Sequence, residues 1–375
     1  MLEKTHPGLP AHWYFEPDHF QQEMRAIFQQ QWICVGRTSD WPETGSYQVV
    51  TLGDQNILVV RADNNSLNAF HNTCRHRGSR MCEAASGQLT QQRIVCPYHA
   101  WTYDFEGNLQ RTPRRVESAD FDPAQFPLYR VALESWGGFV FINLADPVGR
   151  SLIDSLGAEA AALQNWPLAE LQLAYREQHP VACNWKIFWE NYLECYHCPG
   201  IHPGLCRLVP VYAQGFLGNA DLTALGQEVP TKAGHMLRDL AQTWTESGVS
   251  GLPLIDGLSE AEQIRGMTFA TFIPTMFVVA HRDYVRSVRV TPLTPETTLL
   301  TVDWLLPATS MDVAAGQIES VIAFARQVVK EDARACELNQ QGLKSIRHQQ
   351  GVLMPQEYDV LAFNNWLRQS LMTAP

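Results

Sequence analysis

The 375-residue chain is 45% hydrophobic and 18% charged, a composition typical of a globular protein long enough for two domains. Its formal net charge of −11 argues against nucleic acid or an anionic membrane surface as the main partner, because both repel an acidic protein. The N-terminus lacks a signal-peptide pattern and no apolar run reaches the roughly 20 residues that span a bilayer, so we expect a soluble, cytoplasmic protein.

The first part of the chain is predicted to contain one helix followed by an all-β module. Asp18 is a suitable N-cap, and apolar residues recur at helical spacing from Phe20 to Trp32. Further on, short runs rich in β-forming residues alternate with Gly, Asn and Asp turns. Strands are predicted at residues 47–52, 55–61, 66–72, 93–96, 101–105, 131–133 and 138–143. We therefore assign residues 1–45 to a helical segment and 46–145 to the β module.

The rest of the chain combines helical and extended patterns. Helices are predicted at residues 152–165, 233–245, 311–339 and 356–372, and strands at 267–279, 285–292 and 297–306. Because these strands follow one another and are joined by turn residues, they indicate an antiparallel sheet.

A stretch in the middle of the chain combines carboxylates and imidazoles at helical spacing. On a helix, residues three or four apart share a face, so Glu190, Glu194 and His197 are predicted to line one side. A Pro-Gly pair at 199–200 is expected to end this helix and let the chain bring His202 back toward His197. Two imidazoles and a carboxylate with open coordination positions are the arrangement that selects non-haem Fe(II).

A second cluster of candidate ligands lies earlier in the chain, inside the predicted β module. Cys74 and His76 are separated by one residue, and Cys96 and His99 by two. Two thiolates and two imidazoles can form a four-coordinate zinc site, and they are also the ligands of a Rieske [2Fe–2S] centre. The one-residue gap favours the Rieske centre, because paired zinc ligands usually have two to four residues between them.

The segments around these residues, Cys-x-His-Arg-Gly and Cys-Pro-Tyr-His-x-Trp-x-Tyr, resemble the signature of ring-hydroxylating-type Rieske non-haem iron oxygenase α subunits. The resemblance implies that Cys74 and Cys96 bind one iron of the cluster, while His76 and His99 bind the other. Imidazole ligands raise the reduction potential above that of an all-Cys cluster, which suits an electron relay.

The mid-chain stretch resembles the mononuclear iron motif of the same family, which implies that His197 and His202 bind this iron. The family's third ligand is an Asp in a late helix, which matches Asp332, and the neighbouring Glu331 is the alternative. Glu194 stands where most members have an Asp that links the cluster of one subunit to the iron of its neighbour. In having Glu at this position, the chain resembles the branch of the family that oxidises quaternary ammonium compounds such as carnitine, choline, glycine betaine and stachydrine.

The resemblance also implies an α+β fold in two domains. An all-β Rieske [2Fe–2S] domain spans 46–145, a helix-grip catalytic domain with an antiparallel sheet flanked by helices spans 146–375, and the segment 1–45 packs on the catalytic domain. Subunits of the family form homotrimers, in which the cluster of one subunit serves the iron of the next. No Gly-x-Gly-x-x-Gly dinucleotide fingerprint occurs here, so NAD(P)H is expected to act through a separate flavin and iron–sulfur reductase, with O2 as co-substrate.

The substrate site is predicted among aromatic residues of the catalytic domain. Aromatic faces hold a trimethylammonium group by cation–π attraction, and they hold an aromatic ring by stacking. We predict a terminal oxygenase that N-demethylates, or cleaves a C–N bond of, a small quaternary ammonium compound. The alternatives are an aromatic-ring hydroxylase or O-demethylase and, from a different class, an electron-transfer Rieske protein without a substrate. The candidate substrate-binding residues are Tyr212, Phe216, Phe272, Phe277 and Trp304.

Overall fold

The computed structural model describes residues 1–63, 66–312 and 315–373. The chain divides into two compact units, one formed by Ile27–Ser155 and the other by Met1–Ala26 together with Leu156–Pro375. Within the described ranges, no helix has the length and apolar character needed to cross a membrane.

The strands and helices follow one another in chain order. The strands are β1 His6–Pro10, β2 Ile33–Arg37, β3 Ser46–Leu52, β4 Gln55–Arg61, β5 Leu67–His71, β6 Ser86–Gln88, β7 Ile94–Val95, β8 Thr102–Tyr103, β9 Leu109–Arg111, β10 Arg130–Trp136, β11 Phe139–Asn143, β12 Gln172–Val181, β13 Met267–Phe272, β14 Met276–His281, β15 Val285–Thr294, β16 Thr297–Leu306 and β17 Gln350–Leu353. The helices are α1 Pro17–Glu23, α2 Leu152–Ala162, α3 Trp185–Tyr192, α4 Cys198–Ile201, α5 Pro203–Leu208, α6 Asn219–Ala224, α7 Glu260–Arg265, α8 Ala315–Leu343 and α9 Tyr358–Thr373.

The unit Ile27–Ser155 is built from antiparallel β-structure. One sheet has the strand order β2-β11-β10-β5-β4-β3-β6, and a smaller sheet has the order β7-β8-β9. Side chains alternate across each strand, and the inward set, which includes Leu58, Phe70 and Tyr103, forms a core that both sheets share. The compact unit begins before the predicted boundary at residue 46, because β2 pairs with β11.

The second unit contains an antiparallel sheet with the strand order β12-β16-β15-β14-β13. Helix α3 packs across β15, and α8 packs on both β12 and α3. The predicted α+β class, with a sheet flanked by helices, is confirmed. The helices predicted at 311–339 and 356–372 correspond to α8 and α9, although residues 313 and 314 of the first prediction lie outside the described residues.

Two element predictions in this unit are wrong. The strand predicted at 267–279 is a hairpin, because a turn that contains Pro274 separates β13 from β14 and proline has no N–H to donate to a sheet. The helix predicted at 233–245 is a loop, in which two backbone N–H groups donate to the Gly248 carbonyl instead of forming helical bonds. The edge strand β12 was not predicted.

The first helix is shorter than predicted. It begins at Pro17, whose missing N–H is tolerated in a first turn, and its N-cap residue is Glu16 rather than Asp18. A π-helical segment, Met24–Phe28, follows it and ends the helical path before Trp32.

Candidate metal centres and active-site cavity

Two loops of similar geometry carry the first four candidate ligands. In each loop the N–H of the cysteine, Cys74 or Cys96, donates to the carbonyl five residues further on at 2.8 Å. The residues four positions after these cysteines, Gly78 and Ala100, have left-handed φ angles of +76° and +56°. Their N–H groups bond back to the cysteine carbonyls, so each loop is closed into a tight turn that presents its Cys and His.

The thiols and imidazoles of these loops differ in exposure. Cys74 and Cys96 are only 3% and 2% exposed, whereas His76 is exposed and His99 is half-buried. The centroids of the two imidazole rings lie 4.7 Å apart, and the His76 ring stacks on the Trp101 ring. Two buried thiols and two more exposed imidazoles fit the ligand set of a Rieske [2Fe–2S] cluster, in which the two Cys would bind one iron and the two His the other.

The segment after α3 differs from the predicted continuous helix. Because α3 ends before Glu194, both Glu194 and His197 lie in a turn rather than on its face. Glu190 stays on α3, where it accepts a hydrogen bond from the Tyr14 hydroxyl at 2.8 Å. Pro199 lies in the first turn of α4 and begins that helix instead of ending one, because the N–H that proline lacks is not needed there.

Three side chains converge beside α4, α5 and α8. His197 precedes α4, His202 joins α4 to α5, and Asp332 lies on α8. Their potential ligand atoms all lie within 4.8 Å of one another. Asp332 Oδ1 is 2.9 Å from His202 Nε2 and 3.5 Å from His197 Nε2, and the Asn191 amide donates to it at 2.7 Å. This geometry could hold a divalent metal with open coordination positions.

Each of the two imidazoles has a carboxylate on its other nitrogen. Glu194 Oε1 lies 2.6 Å from His197 Nδ1, and Glu331 Oε2 lies 2.8 Å from His202 Nδ1. Because an ionised carboxylate only accepts, these contacts place the proton of each neutral ring on Nδ1. Each ring therefore turns its Nε2 toward Asp332, and this is the nitrogen that would bind a metal once its proton is lost.

The electrostatics of this cluster favour a bound cation. Burial by itself would lower the pKa of His197, but the Asp332 and Glu194 carboxylates outweigh it and raise the pKa to about 9. Burial by itself would raise the pKa of Asp332, but hydrogen bonds from His197 and His202 lower it to about 2. Asp332 thus stays ionised and favours the protonated forms of His197 and His202, and a divalent cation would displace those protons.

Cys195 and Cys198 flank His197 in the chain, but neither offers a free thiol as a metal ligand. Their sulfur atoms form a disulfide, and their Cα atoms are 4.9 Å apart. Both residues are buried. Imidazole and carboxylate groups are therefore the candidate ligands in this part of the site.

A cavity of about 800 Å³ includes His197, His202 and Asp332 in its lining. Its walls come from α3, from strands β13, β14 and β15, and from the loops that follow α5. The Tyr192 and Phe277 rings stack with centroids 4.0 Å apart. The aromatic lining residues are Phe188, Tyr192, Tyr212, Trp244, Phe269 and Phe277.

Two of the five aromatic residues predicted to bind substrate line this cavity, Tyr212 and Phe277. The other three do not line it in the described part of the chain: Phe216, Phe272 and Trp304. Phe272 follows the lining residue Thr271 on β13, so the alternation of the strand turns it to the opposite face. Trp304 packs against Tyr175 on the neighbouring strand instead.

Some residues of the cavity were missed by the sequence analysis. Asn191 and Tyr192 could have been found as polar and aromatic side chains within one turn of Glu194. Arg286 gives no such signal, because an arginine within a predicted strand ordinarily indicates the solvent-exposed face. Only the assembled sheet reveals that its side chain lines the cavity.

Comparison with known protein families covers both units. Residues 31–127 match the Rieske [2Fe-2S] domain, and residues 168–373 match the ring hydroxylating alpha subunit (catalytic domain). The chain is a Rieske oxygenase of the ring-hydroxylating alpha-subunit family. Its cofactors are accordingly a Rieske [2Fe–2S] cluster and a mononuclear iron. The alternative prediction, an electron-transfer Rieske protein without a substrate, is wrong, because the chain also contains the catalytic domain.

Individual relatives of this Rieske oxygenase are monooxygenases of quaternary ammonium compounds. It is 31% identical over 389 residues to the glycine betaine monooxygenase oxygenase subunit of Chromohalobacter salexigens, covering 98% of this chain and 86% of that protein. It is 29% identical over 372 residues to the chloroplastic choline monooxygenase of Beta vulgaris, covering 96% and 76%. The quaternary ammonium Rieske monooxygenase CntA, solved in complex with L-carnitine, matches at 25% identity with a TM-score of 0.72 over 98% of this chain and 96% of CntA.

Proposed function

We propose that this Rieske oxygenase N-demethylates, or cleaves a C–N bond of, a small quaternary ammonium compound. The observation that carries the proposal is the aromatic cavity whose lining includes His197, His202 and Asp332. The aromatic side chains of this lining, which include Tyr192 and Phe277, would attract a trimethylammonium group through cation–π contacts. Similarity to glycine betaine and choline monooxygenases supports this substrate class.

The residues of the catalytic unit would hold the mononuclear iron as two imidazoles and one carboxylate. His197, His202 and Asp332 supply the ligand atoms, while Glu194 and Glu331 fix the rings through their Nδ1–H groups. Asn191 orients Asp332 by donating to its Oδ1.

In the β-rich unit, Cys74, Cys96, His76 and His99 would hold the cluster. When bound, the iron would activate O2 and the cluster would supply electrons one at a time. The chain's own contribution is to position these groups and to bind the substrate.

The proposed reaction places one oxygen atom of O2 in a methyl C–H bond and reduces the other to water with two electrons and two protons. The resulting N-hydroxymethyl group leaves as formaldehyde when its C–N bond breaks. The nitrogen keeps that electron pair, so a tertiary amine and a proton are the remaining products. Formaldehyde is therefore a direct readout of N-demethylation.

We propose that electrons reach the mononuclear iron through Glu194 from the cluster of a neighbouring subunit in a homotrimer. Glu194 bonds to His197 and also lines a second cavity, of about 580 Å³, that includes His197 in its walls. Access to this carboxylate from a second side supports its role as a relay. A separate NAD(P)H-dependent flavin and iron–sulfur reductase would reduce the cluster.

The experiment is a formaldehyde assay over a panel of methylated amines, run with a surrogate reductase and with His202→Ala as the inactive control. If the enzyme N-demethylates, we expect formaldehyde from at least one quaternary ammonium compound and none from the control; if it cleaves another C–N bond, we expect that compound to be consumed with release of its amine but without formaldehyde. Consumption of an aromatic acid with no turnover of any amine would instead support the aromatic hydroxylase or O-demethylase.

A further inference from the structure

A buried arginine in the cavity has no role in the metal centres. Arg286 lies on β15, at the middle of the five-stranded sheet, opposite Val279 on β14 and Trp304 on β16. Its side chain lines the cavity that includes the His–His–Asp cluster, yet the residue is only 4% exposed. A guanidinium stays charged in proteins, so this position puts a fixed positive charge inside the cavity.

The guanidinium is not satisfied by its surroundings. Among the described residues, its Nε and Nη1 atoms have no hydrogen-bond partner. Its Cζ lies 5.3 Å from the centroid of the Trp244 ring, and this cation–π contact replaces only part of the lost hydration. Buried charges are normally paired with an opposite charge, so the unused donors indicate a missing anion.

The acidic residue that acts on the Arg286 guanidinium, Asp332, already has other partners. Asp332 acts on Arg286 electrostatically, but its Oδ1 accepts from Asn191 and lies against His202 Nε2. Tyr192 and Tyr284, which also act on the guanidinium, direct their hydroxyls to Thr271 and to the Trp244 carbonyl. The anion that completes this site is therefore expected to come from outside the chain.

We propose that Arg286 binds a carboxylate group of the substrate and so selects carboxylate-bearing quaternary ammonium compounds over those without one. This inference rests on the proposed function and adds to it a carboxylate as the second functional group of the substrate. The planar guanidinium offers parallel N–H donors that match the two oxygens of a carboxylate.

Charge also orients such a substrate. A zwitterion would place its carboxylate at Arg286 and its ammonium against the aromatic walls, away from the guanidinium. A quaternary ammonium alcohol such as choline would leave Arg286 unpaired and add a second positive charge to the same cavity. The site therefore discriminates by electrostatics as well as by hydrogen bonding.

The test compares Arg286→Gln and Arg286→Lys with Arg289→Gln, a matched control. Arg289 lies on the same strand three residues further on, where alternation gives it the opposite face, and it does not line the cavity in the described part of the chain. Calorimetric titrations under anaerobic conditions use glycine betaine, its methyl ester, choline and benzoate. Iron content and the visible spectrum establish that each variant is folded and loaded.

We expect wild type and Arg289→Gln to bind glycine betaine at least about tenfold more tightly than its methyl ester or choline. Arg286→Gln should weaken glycine betaine binding by about 30-fold or more and abolish the preference, and Arg286→Lys should restore part of it. Preference for glycine betaine that persists in Arg286→Gln would overturn the inference, as would no preference in wild type.

The benzoate arm separates this inference from the proposed function. Arg286-dependent binding of benzoate, with no binding of any quaternary ammonium compound, would overturn the proposed substrate class while retaining a carboxylate site at Arg286. If Arg286→Gln lacks iron or cluster absorption, the test rests on the glycine betaine affinity and preference of the folded Arg286→Lys variant. Unchanged glycine betaine affinity and preference in that variant would contradict recognition by a planar guanidinium.

Discussion

Asp332 and Glu331 are adjacent on α8, yet they contact different nitrogen atoms of His202. Asp332 approaches Nε2 at 2.9 Å, and Glu331 approaches Nδ1 at 2.8 Å. A metal on the Nε2 side would be bound by Asp332, while Glu331 would orient the ring. The proposed roles of these two acids can therefore be separated by conservative substitutions.

We expect Asp332→Asn to lose the mononuclear iron, lowering the iron content from about three to about two atoms per chain while the cluster spectrum persists. Glu331→Gln should retain this iron at saturating ferrous concentration but bind it about 10- to 100-fold more weakly, because it removes only an orienting carboxylate. Iron analysis after dialysis against graded chelator measures both. Loss of iron from Glu331→Gln with full retention in Asp332→Asn would reverse the assignment.

Glu194→Ala should retain both metals but slow the reoxidation of the reduced cluster during a single turnover. We expect a decrease of at least about tenfold, because the carboxylate that links His197 to the second cavity is lost. Glu194→Asp, which keeps a shorter carboxylate, should fall between Glu194→Ala and wild type. Stopped-flow absorbance of the cluster measures this rate, and equal rates in all three proteins would remove Glu194 from the proposed relay.

At the scale of elements, α3 contributes both to the proposed metal site and to the packing of the N-terminal segment. Asn191 near its end donates to Asp332, whereas the buried Lys186 lies 2.6 Å from Glu23 of α1. Glu190, one turn after Lys186, accepts from the Tyr14 hydroxyl. These polar contacts fix the helix against the N-terminal segment and so help to hold Asn191 in place.

The partly buried Glu190 predicts a pH dependence of stability. Burial raises its pKa from the ordinary 4.5 to about 7, although Tyr14 and Lys186 oppose the shift. A carboxyl whose pKa is higher in the folded state stabilises that state most below pH 4.5, and the contribution is lost as the pH rises to about 7.

We therefore expect the free energy of unfolding of wild type to fall by about 1–3 kcal/mol more than that of Glu190→Gln between pH 5 and pH 7.5. Denaturant titrations at the two pH values measure the difference. Glu246→Gln, at an exposed position, is the control and should follow wild type. An identical pH response in Glu190→Gln would show that Glu190 does not titrate in this range.

At the scale of the whole molecule, local patterns predicted most strands of the β-rich unit, but not β2, β6 or β9. They also predicted the closeness of His197 and His202. Period-two alternation and turn residues are local, so β3 and β4 coincide almost fully with their predicted ranges. The position of Asp332 came from family resemblance, because a carboxylate far along the chain leaves no local signal near its partners. Whether Arg286 lines the cavity, and which face of the sheet Phe272 occupies, depend on strand register, which forms only when the sheet assembles.

The proposed electron path between subunits predicts complementation. Cys96→Ser should lack a functional cluster and His202→Ala should lack the mononuclear iron, so each variant alone should be inactive. Mixed assemblies purified after co-expression should regain activity, because an intact cluster of one subunit can serve an intact iron of its neighbour. Formaldehyde release per mixed assembly measures this, and inactive assemblies that contain both variants would contradict transfer between subunits.

The central claim is that one chain carries two iron sites of different design, an electron store in the β-rich unit and an oxygen-activating centre in the catalytic unit. The most direct test is metal and labile-sulfide analysis of the purified, reconstituted protein together with its visible spectrum. We predict about three iron atoms and about two labile sulfides per chain, with the absorption of a Rieske cluster. A colourless protein that binds only zinc at both places would contradict the claim.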